Sequence, residues 1–286
     1  MISDITLGQF FPGESAIHRL DPRTKIIMSI LFIVSVFLAS TPMAFVALLL
    51  FTAVMIAVSR ISFKVILKGI KPIVIVLIFT AIINMFMTKG ESEPLVSFWI
   101  IEIYKEGIIR ALFMALRVVI LIVGTSVLLT YTTSPISLTD GIESLLWPLK
   151  LIKVPVHLFA MMMTIALRFI PTLVEETEKI MNAQKSRGAD FSSGGLIKRA
   201  KALIPIIIPL FVSSFKRAEE LATAMECRCY RGDKNRTKLV KLSYRWLDLC
   251  YFVGALLFLA AIITLRIYAT RVSFEMPFLK AFFYVI

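Results

Sequence analysis

The sequence is short of charge and of nearly everything a catalyst uses. Only 18% of its 286 residues are charged, against roughly a quarter in soluble domains. There are two histidines, His18 and His157, which leaves no plausible nucleophile–histidine–acid set. No glycine precedes a lysine, so the Gly-x4-Gly-Lys-Ser/Thr loop of a nucleotide-binding ATPase is absent. Gly-x-Ser-x-Gly and His-Glu-x-x-His are absent as well. Three cysteines, Cys227, Cys229 and Cys250, make no even disulfide framework. Cys227 and Cys229 without a nearby histidine are a poor metal site. A cleavable signal peptide is not expected, because Asp4, Glu14 and Asp21 precede the first apolar run and no small-x-small site follows it.

What is present is hydrophobic: 58% of residues, with a mean hydropathy of +0.85. That excludes a disordered chain and an ordinary soluble enzyme, and it points to an all-α polytopic membrane protein. The net charge of +13 fits cytoplasmic loops and anionic lipid, not nucleic acid. Apolar runs at Ile26–Ser40, Met43–Ser59, Ile73–Thr88, Ala111–Thr130 and Leu249–Leu265 predict five transmembrane helices. The domain plan is an N-terminal arm (1–25), four spans (26–131), an interfacial and cytoplasmic region (132–246), and a last span with its tail (247–286).

Loop charges set the orientation. Arg19, Arg23 and Lys25 precede span one and read as membrane-surface anchors. The turn at Thr41-Pro42 is neutral. Arg60, Lys64, Lys68 and Lys71 follow span two, and Glu91, Glu93, Glu102 and Glu106 dominate the next loop. This alternation predicts a cytoplasmic N-terminus in the cell membrane and leaves 267–286 outside. Asp21-Pro22 reads as an N-cap followed by proline at the first helical position. Arg117 is expected to pack against a neighbour's carbonyls, and Asn84 to bond between helices.

Residues 131–246 are too apolar for a soluble loop and too charged for the membrane. Ser137–Val154 reads as a short amphipathic helix that Pro148 interrupts. Two longer units follow. Val154–Val174 is mostly apolar and runs into polar Glu175–Arg187; after basic Leu196–Lys201, Ala202–Phe215 is apolar, holds Pro205 and Pro209, and runs into polar Lys216–Arg228. Both read as long helices lying partly in the interface and partly in the cytoplasm. On the second, Phe211, Phe215, Ala218, Ala222 and Met225 mark a seam, most of it expected to pack within the protein. Glu175, Glu176, Glu219 and Glu220 read as solvated or paired along their own helix.

The two units end alike. Ala183-Gln184-Lys185-Ser186-Arg187-Gly188 recurs 41 residues later as Ala224-Met225-Glu226-Cys227-Arg228-Cys229. Small flanks allow close approach, and arginine presents a rigid fork of donors. Ordinary capping of a helix C-terminus explains the same pattern.

With these residues in view, the chain resembles the T component of energy-coupling-factor (ECF) transporters over nearly its whole length. The resemblance is carried by Ser15-Ala16-Ile17-His18-Arg19-Leu20-Asp21-Pro22-Arg23-Thr24-Lys25, by Arg168-Phe169-Ile170-Pro171-Thr172-Leu173, and by the two arginine tips. The family typically writes each tip Ala-Arg-Gly. Here Ser186 replaces the first alanine and Gly188 is kept, while Cys227 and Cys229 replace alanine and glycine. Cys229 argues against a left-handed backbone at that point. The resemblance implies a non-catalytic subunit with five spans and cytoplasmic coupling helices. It implies docking of two ABC ATPase subunits through Ser186, Arg187, Gly188, Cys227, Arg228 and Cys229. It implies no cofactor bound by this chain, with ATP used by the partner subunits. It also implies contact with one or more substrate-binding S components for vitamin or metal uptake, for which Phe211 and Phe215 are candidates. A conventional ABC importer permease lacks support, because its Glu-Ala-Ala…Gly coupling signature is missing. A self-contained channel or secondary transporter would need ionisable groups at mid-membrane, and the spans are nearly bare of them.

Overall fold

The computed structural model describes residues 10–87, 96–98, 101–189, 191, 195–232 and 242–275. Among them are nine α-helices: α1 (Pro22–Leu38), α2 (Pro42–Ser59), α3 (Phe63–Ile70), α4 (Val74–Met87), α5 (Lys105–Thr125), α6 (Pro135–Leu145), α7 (Val156–Ser186), α8 (Leu196–Cys227) and α9 (Trp246–Glu275). One small antiparallel hairpin, β1 (Val96–Phe98) with β2 (Ile101–Ile103), pairs Val96 with Ile103 and Phe98 with Ile101. The chain divides into two compact units, Gly8–Gly141 with Leu242–Ile286, and Ile142–Lys241. The acidic loop at 88–95 and the tail at 276–286 lie outside the described residues.

The larger unit starts its first two helices with the same device. Asp21 caps α1, its carboxylate accepting from the Arg23 amide at 2.9 Å, and Pro22 opens the helix. Thr41 caps α2 by accepting from the Ala44 amide at 3.2 Å, and Pro42 opens that one. Proline costs nothing there, because the first-turn amide has no intrahelical partner. The core then follows helical spacing. Met28, Phe32 and Val36 from α1 meet Phe45, Leu48 and Met55 from α2, Ile120 and Val123 from α5, and Ala255 and Ile262 from α9. Phe32, Phe51 and Phe258 stack in series, with centroids 6.0 and 4.2 Å apart, and tie three helices together. Ser29, Ser35 and Thr52 are buried and return their hydroxyls to their own helix carbonyls at 2.8 Å, so none of the three is left bare.

Gly124 on α5 lies against the Phe32 ring of this stack. A Cβ there would stand 2.2 Å from the Phe32 ring. Gly124→Ala is expected to cost about 1–3 kcal/mol through overpacking. A lowered unfolding temperature in detergent reads this, and Phe32→Leu in the same chain should recover most of the loss.

Five helices among the described residues are long and apolar enough to cross a membrane, but they are not quite the five the sequence suggested. Pro42–Ser59, Phe63–Met87, Lys105–Thr130 and Trp246–Ala269 correspond to expected spans, while Val156–Ser186 joins them through its apolar first half. α1, expected as a span, has 17 residues and falls just below that length. α9 runs well past Leu265, to Glu275.

Three side chains bear on the expectations. Lys25 is no surface anchor: it is 2% exposed, and its ammonium donates to the carbonyls of His18 (3.3 Å) and Thr132 (2.8 Å) and to Thr133 Oγ1 (3.2 Å). Three donors meet three acceptors, which is what a buried ammonium requires. Asn84 bonds the Thr80 carbonyl of its own helix at 2.8 Å rather than a neighbouring helix. Arg117 does meet a carbonyl, that of Ala39 on the α1–α2 turn, and lies over the Phe45 ring at 5.5 Å.

The segment Ser15–Lys25 is a folded knot. Ser15 Oγ and His18 Nδ1 are 2.6 Å apart, and His18 Nε2 donates to the Phe11 carbonyl at 3.0 Å. Burial pulls the His18 ring below its ordinary pKa, against the opposing effect of the Phe11 hydrogen bond. Asp248 closes the knot. Its Oδ2 accepts from the Arg245 amide at 2.7 Å, as the third helical residue reaching back to the N-cap of α9. Its Oδ1 accepts from the Asp21 amide at 2.7 Å. One carboxylate therefore fastens the starts of α1 and α9, which are 227 residues apart in sequence.

Candidate functional site

The candidate site lies in the smaller unit, on α7 and α8. The two helices are antiparallel arms of one hairpin and are joined by side chains nearer their C-terminal than their N-terminal ends. Glu176 of α7 accepts from Arg217 Nη2 and, at 2.8 Å, from Ser213 Oγ of α8. On α7, Ile170, Leu173, Val174, Ile180 and Met181, which share a face at helical spacing, are among the half-buried residues. On α8 the expected seam is not the buried one. The face turned inward carries Ile206, Leu210, Ser213, Arg217, Leu221 and Met225. It sits one residue, about 100°, round the helix from the expected seam, and only Met225 is common to both. Phe211 and Phe215 are each 62% exposed, Ala218 and Ala222 are exposed, and the two rings meet edge to face at 4.7 Å. The sequence pattern missed this because serine and arginine occupy the contact face, while phenylalanine and alanine occupy the open one. Glu176, expected on a solvated face, is part of the crossing.

Both arginine tips end in the same backbone motif. At α7 the Gly188 amide bonds the Lys185 carbonyl at 2.9 Å and the Ala189 amide bonds the Gln184 carbonyl at 3.0 Å. At α8 the Cys229 amide bonds the Glu226 carbonyl at 2.8 Å and the Tyr230 amide bonds the Met225 carbonyl at 3.0 Å. Each is a Schellman cap, with arginine as the C-cap residue and a left-handed residue after it. Gly188 has φ +86° and Cys229 φ +56°. The expectation that cysteine removes the left-handed turn is thus overturned: the hydrogen-bonded cap imposes it. A Cβ in that conformation costs about 1–2 kcal/mol. Cys229→Gly should accordingly raise the unfolding temperature of the purified protein, and Gly188→Ala should lower it.

Because the caps are satisfied by backbone, the side chains stay free to meet something else. Ser186, Arg187, Gly188, Cys227, Arg228 and Cys229 are all exposed. Ser186 Oγ returns to the Asn182 carbonyl at 3.1 Å and leaves its surface small. The tips differ on one side. At α8 the chain folds back, and Met225, Arg228 and Tyr230 line a cavity of about 580 Å³ with Met161, Ile165 and Leu221. Among the described residues, no group of three or more His, Cys, Asp or Glu is placed to hold a metal ion.

Comparison with known proteins agrees over most of the chain. The family described as cobalt transport protein, CbiQ, matches residues 13–239. The energy-coupling factor transporter transmembrane protein EcfT of Clostridium kluyveri is 53% identical over 268 residues, covering 94% of this chain and 99% of that protein. The protein of the same name from Ruminiclostridium cellulolyticum is 55% identical over 248 residues, 87% and 92% of the two chains. That from Bacillus subtilis is 46% identical over 266 residues, 93% and 100% of the two chains.

Proposed function

The chain belongs to this family as an ECF-transporter transmembrane component, and from that premise we propose that its two arginine tips dock two ABC ATPase subunits and pass their ATP-driven motion to a separate substrate-binding membrane protein. The observation that carries the reading is the repetition of the tip. Two exposed arginines, in the same Schellman cap and 41 residues apart, suit two like partners. A guanidinium held at a rigid helix end offers a planar fork to carboxylates or carbonyls in a groove. Ser186, Gly188, Cys227 and Cys229 keep the flanks small enough for the helix end to enter.

The face bearing Phe211 and Phe215 is the proposed seat of the substrate-binding protein. It is contiguous, apolar and turned away from α7, as a surface kept for a partner would be. The chain itself is a non-catalytic subunit: hydrolysis belongs to the ATPases and choice of vitamin or metal ion to the substrate-binding protein. Its N-terminus and both tips lie on the cytoplasmic side of the cell membrane, where ATP is. The test is co-purification from native membranes of wild type and of the Arg187→Ala/Arg228→Ala chain, with the accompanying proteins identified by mass spectrometry.

A further inference from the structure

We infer that Glu176, Ser213 and Arg217 form the fulcrum that holds the two arginine tips on equal lever arms, which makes them positioning residues for energy coupling; the inference rests on the docking role proposed above. The 41-residue offset that maps Arg187 onto Arg228 also maps Glu176 onto Arg217. The side chains that join α7 to α8 therefore come from equivalent positions of the two units. Each stands eleven residues before its tip arginine, about 16 Å along the helix at 1.5 Å per residue. Identical residues at such a point would bring like charges together. The repeat departs from identity at this position, glutamate against arginine, and the two attract.

The contact also fixes register. Ser213 and Arg217 are one turn apart on α8 and take separate oxygens of a single carboxylate. Sliding α8 along α7 by a turn, about 5.4 Å, breaks this two-oxygen arrangement and makes the arms unequal. The arms themselves are stiff. Pro171 on α7, and Pro205 and Pro209 on α8, each lie across the crossing from the tip of their own helix. Proline removes a helical hydrogen bond and crowds the preceding turn, so the helix yields there and not between fulcrum and tip. A rotation about the Glu176–Arg217 contact thus moves both tips by equal amounts, as two equivalent ATPases closing together would require. No nucleotide or substrate need touch these residues.

The experiment uses the complex purified with its own ATPases and substrate-binding protein and reconstituted in liposomes. Its variants are Glu176→Gln, Arg217→Gln, and the exchange Glu176→Arg with Arg217→Glu. The single variants should retain both ATPases and hydrolyse ATP, while uptake per ATP falls about tenfold. The exchange should recover most of that loss. Unchanged coupling in the single variants overturns the fulcrum. So does loss of ATPase binding together with uptake, since that is the mark of a merely structural contact, and so does an exchange that restores nothing. A wild-type chain that purifies alone overturns the docking reading and this inference with it, whereas the other outcomes leave the docking reading standing.

Discussion

The Arg187→Ala/Arg228→Ala chain is expected to come out of the membrane without the ATPases that accompany wild type. Both arginines are exposed, and their helix ends are capped by backbone bonds alone. Truncation therefore removes the docking group and leaves the fold in place. An arginine anchor desolvated in a partner's groove contributes about 2–4 kcal/mol to binding. Losing both should abolish assembly at cellular concentrations, and uptake with it. A single substitution leaves one tip engaged and should give partial complexes. Arginine to lysine should rescue poorly, because an ammonium has no fork. Unchanged co-purification of the double variant would sink the assignment of these tips and make them ordinary helix ends.

Asp248→Ala is expected to cause the largest loss of stability of any single change considered. The residue is 3% exposed, and its two carboxylate oxygens accept from the Asp21 and Arg245 amides at 2.7 Å each. Alanine leaves both amides without these acceptors at the starts of two helices. A hydrogen bond to a charged acceptor contributes roughly 1.5–3 kcal/mol, so a loss of about 3 kcal/mol is the conservative figure. An asparagine side chain keeps one carbonyl oxygen, so Asp248→Asn should cost about half as much. Thermal unfolding in detergent separates the three proteins. Equal midpoints for wild type and Asp248→Ala would mean that the knot at Ser15–Lys25 does not need α9.

The sequence and the tertiary structure divide the description along a physical line. The start of α1 was legible because its signal is local: Asp21-Pro22 acts through a bond spanning two residues, whereas Thr41-Pro42, read only as a neutral turn, caps α2 in the same way. The two long helices of 131–246 were legible from periodicity and from the break at Gly188 and Gly195. The matched tips were legible as a repeat, though not the turn that Cys229 makes. A cysteine's preference against that turn is weaker than the pair of cap bonds that enforces it.

What sequence alone determined was the membrane class, the helices, and the arginines that end two of them, since hydrophobic runs and end-caps depend on neighbours along the chain. What only the tertiary structure decided was which faces are spoken for. Lys25 reads as a surface cation until Thr132 and Thr133 are seen around its ammonium. The Phe211 face reads as core until Ser213 and Arg217 are seen to occupy the contact with α7. In both cases the deciding partner is distant in the sequence, by 37 residues or more. Whether a polar side chain is buried, or an apolar one left open, depends on what that distant partner offers.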